Sequence, residues 1–173
     1  MKLNQTYSLA DLNQMSQAEF VDVLGEVFEH TPTIAQQSWE QRPFATLADL
    51  HQCMVNLVRH FPLEQQLALI RAHPDLGAKT QMAESSVQEQ AGVGLDRLTA
   101  EEFDRFQSFN QAYKAKFGFP FLIAVKHHTK ASILAAFEQR LHHSVEQEQE
   151  QALNEIFQIA WFRLNTLVTH TVD

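Results

Sequence analysis

Three pairs, Ser16 with Glu19, Thr99 with Glu102 and Ser144 with Gln147, put a hydroxyl three residues ahead of a carboxyl or amide, and each opens an apolar stripe. In this capping box the hydroxyl accepts from a helix amide while the later side chain reaches back, so both satisfy donors that a helix start leaves orphaned. After Ser16 come Phe20, Val23, Leu24, Val27 and Phe28; after Thr99, Phe103, Phe106, Tyr113 and Phe117; after Ser144, Leu153, Ile156, Phe157, Ala160, Leu164, Leu167 and Val168. Such spacings form one buried helical face. Thr31-Pro32 opens a short helix to about Glu40, and Thr46 opens one carrying Leu47, Leu50, Met54, Leu57 and Val58. Pro62 begins another that must stop near His73, because Pro74 disfavours a helical conformation in the residue before it. A further helix is expected from about Lys130 to His142. Roughly eight helices with short connections are typical of a compact all-α domain. Five Gly and five Pro leave little room for the turns of an all-β fold, and residues 1–173 fit a single domain.

Composition narrows the function classes. Apolar residues make up 45% of the chain and charged residues 20%, the balance of an ordinary soluble globular protein. A formal charge of -8 argues against a nucleic-acid partner, since phosphate binding needs a surplus of Lys and Arg on at least one face. Glu146, Glu148 and Glu150 alternate with Gln, a pattern expected for the solvated first turns of a helix. Cys53 is the only cysteine, which excludes an internal disulfide and a multi-cysteine metal site and fits a reducing compartment. Met1–Thr6 lacks the apolar run of a secretory signal, and no membrane span is expected. The ending Thr171-Val172-Asp173 is not of the peroxisomal type, so the cytoplasm is the expected location. The histidines at 30, 51, 60, 127, 128, 142, 143 and 170 form no compact ligand set, and no glycine-flanked phosphate loop occurs. Neither a metal nor a nucleotide cofactor is therefore expected.

Phe117-Gly118-Phe119-Pro120-Phe121 places aromatic rings around a Gly and a Pro after a strongly helical segment. Gly118 can leave the helix in a left-handed conformation and Pro120 forbids its resumption, so the backbone beyond should run extended with polar groups outside any helical ladder. Free backbone groups beside aromatic walls suit a ligand site. His73 ends a helix before a stiff Pro74-Asp75-Leu76-Gly77 turn, which fits a general acid or base but equally fits a histidine favoured by the helix dipole. Ser86 and Glu89 have capping-box spacing as well, followed by Gln90 and the small run Ala91-Gly92-Val93-Gly94-Leu95. Those glycines admit a closely approaching ligand or serve only as a helix stop. Arg163 lies in the apolar stretch Ile159–Leu164 and needs a partner, either a structural ion pair or an anionic or urea-like ligand.

Taken in order, His73-Pro74-Asp75-Leu76-Gly77, Ser86-x-x-Glu89-Gln90 with Gly94-Leu95-Asp96, and Asn110-x-x-Tyr113-x-x-x-Phe117-Gly118-Phe119-Pro120-Phe121 resemble the 2-oxo-4-hydroxy-4-carboxy-5-ureidoimidazoline (OHCU) decarboxylases of urate breakdown. The resemblance extends to the Arg42-Pro43-Phe44 turn and the C-terminal helix with Arg163. It implies a cofactor-free, all-helical enzyme, usually a homodimer, that converts OHCU to (S)-allantoin and carbon dioxide. By motif, His73 and Glu89 are expected to be catalytic. Pro74, Ser86, Gln90 and Arg163 are expected to bind substrate, together with the backbone around Phe121, Leu122 and Ile123. Two rivals remain at this point. One is a helical binding or scaffold protein that docks a partner on an exposed aromatic turn, and the other is a related decarboxylase acting on a different ureido acid.

Overall fold

The computed structural model describes residues 5–78 and 84–169; His170 and the ending Thr171-Val172-Asp173 therefore lie outside the described residues. Its elements are α1 (Leu9–Gln14), α2 (Gln17–Leu24), α3 (Thr33–Trp39), α4 (Leu47–His60), α5 (Leu63–Arg71), α6 (Glu84–Gly92), α7 (Ala100–Phe117), a 3-10 turn (Val125–His127), α8 (Lys130–Arg140) and α9 (Val145–Leu167). The fold is all-α. Among the described residues the one β-type pairing is an isolated parallel bridge between Tyr7 and Val168.

Helix starts carry the side-chain signals expected of them. Capping boxes close at Ser16, Thr46 and Thr99, and Ser144 does the same with Gln147. Two further boxes, Ser8 with Asp11 and Thr129 with Ser132, use shorter partners. The first opens α1, a helix the apolar periodicity does not reveal because its six residues bury only Leu12. Helix α2 ends at Leu24, earlier than its stripe suggested. Val27 and Phe28 are buried from the turns that follow, so their spacing reports burial without helix.

The chain folds as two compact units, one of Met1–Gln66 with Phe157–Asp173 and one of Leu67–Ile156. In the first unit α3 packs on α2 and α4 around Leu12, Phe20, Leu24, Ile34, Leu50, Met54 and Val58. The Asn13 side chain pairs with both backbone polar groups of Phe44, donating to its carbonyl and accepting from its amide at 2.9 Å each. Arg42 lies 4.2 Å over the Trp39 ring and donates to the carbonyls of Asn13 and Met15 at 2.8 Å, which fixes the Arg42-Pro43-Phe44 turn. The second unit is organised by aromatic rings. Phe121 stacks on Phe137 at 3.7 Å between centroids and meets the Tyr113 ring edge-on at 5.2 Å. Ring pairs of this kind add about 0.5–1.5 kcal/mol each beyond area burial.

Candidate active site

Gly118 takes up the left-handed conformation, with φ 78°, and caps α7 by donating to the Lys114 carbonyl at 2.9 Å. Beyond Pro120 the chain runs without helix as far as Ala124, and the rings of Phe119 and Phe121 are buried. The exposed aromatic patch that a docking protein would need at Phe119 and Phe121 is absent. The segment's polar groups are less free than the sequence suggested. The Leu122 carbonyl accepts from Arg140 Nη1 at 2.6 Å, the Ala124 amide donates to Glu155 at 2.8 Å, and Arg71 Nε donates to the Gly118 carbonyl at 3.2 Å.

His73 is buried just past the end of α5, where the Leu69 carbonyl is within 2.9 Å of its Nδ1. A carbonyl can only accept, so Nδ1 carries a proton and the neutral ring keeps its lone pair on Nε2. The bond satisfies one of the carbonyls orphaned at the end of α5 and holds the ring in one orientation. The orienting group on Nδ1 is thus a backbone carbonyl and not the Glu89 carboxylate.

Ser86 and Glu89 lie within α6, which begins at Glu84, so the capping box expected from their spacing does not form. Their spacing instead puts Ser86, Glu89 and Gln90 on one helical face. Ser86 and Gln90 are buried, and Glu89 is half-buried beside them. Gln90 Oε1 accepts the Gly77 amide at 2.9 Å, tying α6 to the turn that follows His73. Gly77 is left-handed, at φ 69°, and a Cβ there would come within 2.8 Å of Leu98. The same turn is held from α7, where Asn110 Nδ2 donates to the Leu76 carbonyl at 2.9 Å and Lys114 pairs with Asp75 at 3.2 Å. Helix α6 also packs against the Val125–His127 turn that directly follows the aromatic segment.

The second unit therefore gathers the His73-Pro74 turn, the Ser86/Glu89/Gln90 face and the aromatic segment through named side chains. Arg163 belongs to the first unit, where its Nη1 lies 3.1 Å from the buried Glu29 carboxylate and donates to the Glu26 carbonyl at 3.0 Å. The ion-pair alternative for this residue is realised. At Gly94, also left-handed at φ 80°, the group that approaches closely is the Lys130 side chain, whose Cε would lie 3.3 Å from an added Cβ.

A buried polar cluster escaped the sequence. Glu148 is fully buried and accepts from Arg140 Nε and Nη2, from the Tyr113 hydroxyl, and from His143 Nδ1 at 2.7 Å. The alternating Glu residues suggested a solvated face, but on a helix only Glu146 and Glu150 share a side, while Glu148 turns to the opposite one. Burial, and then the Glu148 hydrogen bond, push the Tyr113 hydroxyl far above its ordinary pKa, so it stays a donor. His143 is likewise held by this carboxylate and not by solvent alone. Among the described residues no group of three or more His, Cys, Asp or Glu could hold a metal ion, and no helix is long and apolar enough to cross a membrane.

Comparison with known proteins agrees with the motifs. Residues 13–165 match the OHCU decarboxylase family. The chain is 44% identical to a 2-oxo-4-hydroxy-4-carboxy-5-ureidoimidazoline decarboxylase of Halalkalicoccus jeotgali, over 92% of this chain and 91% of that one. It is also 44% identical to the uric acid degradation bifunctional protein PucL of Bacillus subtilis, covering 94% of this chain but 33% of that longer protein. Among solved structures it superposes on an (S)-allantoin synthase with a TM-score of 0.77 at 32% identity, over 94% of this chain and about half (54%) of that one. An OHCU decarboxylase determined in the presence of (S)-allantoin shares the fold, with a TM-score of 0.67 at 21% identity over 88% of this chain and 98% of that one. With the family match running through the His73 turn, the α6 face and the aromatic segment alike, the chain belongs to the OHCU decarboxylase family.

Proposed function

We propose that this protein removes carbon dioxide from OHCU in urate degradation and protonates the resulting intermediate on one face to give (S)-allantoin, with His73 moving the protons. Family membership carries the decarboxylation. The observation that supports the role of His73 is the Leu69 hydrogen bond, which leaves Nε2 as the basic nitrogen of a ring held in place. In the substrate the carboxylate-bearing carbon adjoins a C=N bond, which accepts the electron pair released as carbon dioxide leaves. The substrate is thus its own electron sink, and the reaction needs no cofactor.

The protein's part is to hold the carboxylate out of the ring plane, to stabilise the enol-like intermediate, and to place a proton on the ureido-bearing carbon. His73 Nε2 takes the hydroxyl proton and returns one to carbon, and Glu89 favours the protonated imidazole by its charge. Ser86 and Gln90 fix ring or ureido amides beside Pro74. The backbone of Phe121, Leu122 and Ile123, apart from the Leu122 carbonyl that Arg140 holds, supplies the remaining polar contacts.

The enzyme is accordingly a carbon–carbon lyase. We assign residues 1–173 to one catalytic domain, working as a cytoplasmic homodimer; light scattering tests the assembly. The activity is tested by generating OHCU from urate enzymatically and following the circular dichroism of allantoin with and without the protein. Spontaneous decay gives racemate, so an excess of the S enantiomer is expected, and a racemic product in its presence overturns the proposal.

A further inference from the structure

Two buried carboxylates of α9, about two helical turns apart on one face, reach the same short piece of backbone. Glu155 Oε2 accepts the Ala124 amide at 2.8 Å, while its Oε1 accepts from Gln151 Nε2 at 2.8 Å. Glu148 acts through Arg140, holding Nη2 at 2.8 Å while Nη1 reaches the Leu122 carbonyl at 2.6 Å. Arg140 also lies 4.3 Å over the Phe121 ring. Leu122 and Ala124 are separated by one residue, and Ala124 is extended at φ -74°, ψ 94°. An extended chain turns the N–H and C=O of alternate residues to opposite edges. The grip on Leu122 and Ala124 therefore occupies one edge and directs the Ile123 peptide groups to the other.

We propose that Glu155 and the Arg140–Glu148 pair are positioning residues for the decarboxylation. They clamp one edge of Leu122–Ala124 so that the Ile123 N–H and C=O present a fixed donor and acceptor to the ureide edge of the substrate ring. The inference rests on the decarboxylase reading. A ureide ring carries a C=O beside an N–H, which is the complement of one extended residue. Two-point recognition of that kind needs a backbone that does not rotate, and a carboxylate on the Ala124 amide supplies a strong, charge-assisted restraint. It also withdraws the Leu122 carbonyl from substrate contact.

The test is steady-state kinetics on enzymatically generated OHCU with the wild type, Glu155→Leu and Glu155→Gln. Glu155→Leu frees the Ala124 amide, and we expect KM to rise about tenfold with kcat within about twofold, the signature of lost uniform binding. Glu155→Gln keeps an oxygen acceptor, and KM should return to within about threefold of wild type. A folded Glu155→Leu with wild-type KM, or a Glu155→Gln no better than Leu, overturns the proposal. Should Glu155→Leu fail to fold, titration of the 15N-labelled wild type with (S)-allantoin decides, because the Ile123 amide proton, as the donor to the ligand, should shift. No shift of the Ile123 amide proton at saturating (S)-allantoin overturns it. If the decarboxylase reading itself is wrong, the wild type yields no enantiomeric excess, an outcome separate from all of these.

Discussion

The ring of His73 is fixed to the Leu69 carbonyl through Nδ1 at 2.9 Å, so its neutral tautomer is set by the end of the helix that precedes it. Asn is the replacement that separates structure from chemistry here, because its amide can still donate to that carbonyl. His73→Asn should keep its helical circular dichroism and melting temperature while kcat falls by about 10²–10⁴, the usual worth of general acid–base catalysis. Retention of full activity would remove His73 as the proton carrier.

Glu89 sits inside α6, not at a helix start. Loss of a cap therefore cannot explain the phenotype of Glu89→Gln, which keeps the side chain's shape and removes its charge. We expect turnover to drop by at least about tenfold if the carboxylate stabilises the imidazolium, with stability within about 0.5 kcal/mol of wild type. A lowered urea midpoint with unchanged turnover would make the residue structural.

Arg163 and Glu29 form a pair with side chains 5% and 0% exposed, so removing one partner strands the other charge. Glu29→Ala should cost about 3–5 kcal/mol in urea unfolding, and replacing both residues by apolar ones of similar volume should recover most of it. Equal loss in the single and double variants would show that the pair is not the source of the cost.

Tyr113 donates to Glu148, and its hydroxyl pKa is raised mainly by burial. Tyr113→Phe should lose about 1.5–3 kcal/mol, the worth of a hydrogen bond to a charged group. A raised folded-state pKa in an acid means the unfolded chain ionises first, at about 10. Stability contributed by this group is therefore complete below pH 10 and declines as pH rises beyond it. The wild type should lose stability above pH 10 more steeply than Tyr113→Phe. Parallel slopes would contradict the shift.

Much of the local architecture was legible because it depends on neighbours three or four residues apart. The boxes at Ser16, Thr99 and Ser144, the left-handed stop at Gly118 and the end of α5 before Pro74 all follow from that range. The same spacing misled at Ser86 and Glu89, where a helix already under way turns a cap signature into a shared face. Nothing in the order of residues assigns Gln90 to the Gly77 amide or Asn110 to the Leu76 carbonyl, 13 and 34 residues away.

The sequence by itself determined where most of the helices begin and stop, which faces are apolar, and which family motifs the chain carries, since capping and periodicity act within a turn or two of helix. Only the tertiary structure decided which carboxylates leave water. Glu148 looks like its exposed neighbours in a row of Glu and Gln, and Glu155, between Asn154 and Ile156, carries no local mark of burial either. Both leave water because Tyr113 and the Ala124 amide, 35 and 31 residues distant, arrive to satisfy them once the chain has folded. A buried charge is tolerable only beside such partners, and their arrival is a property of packing.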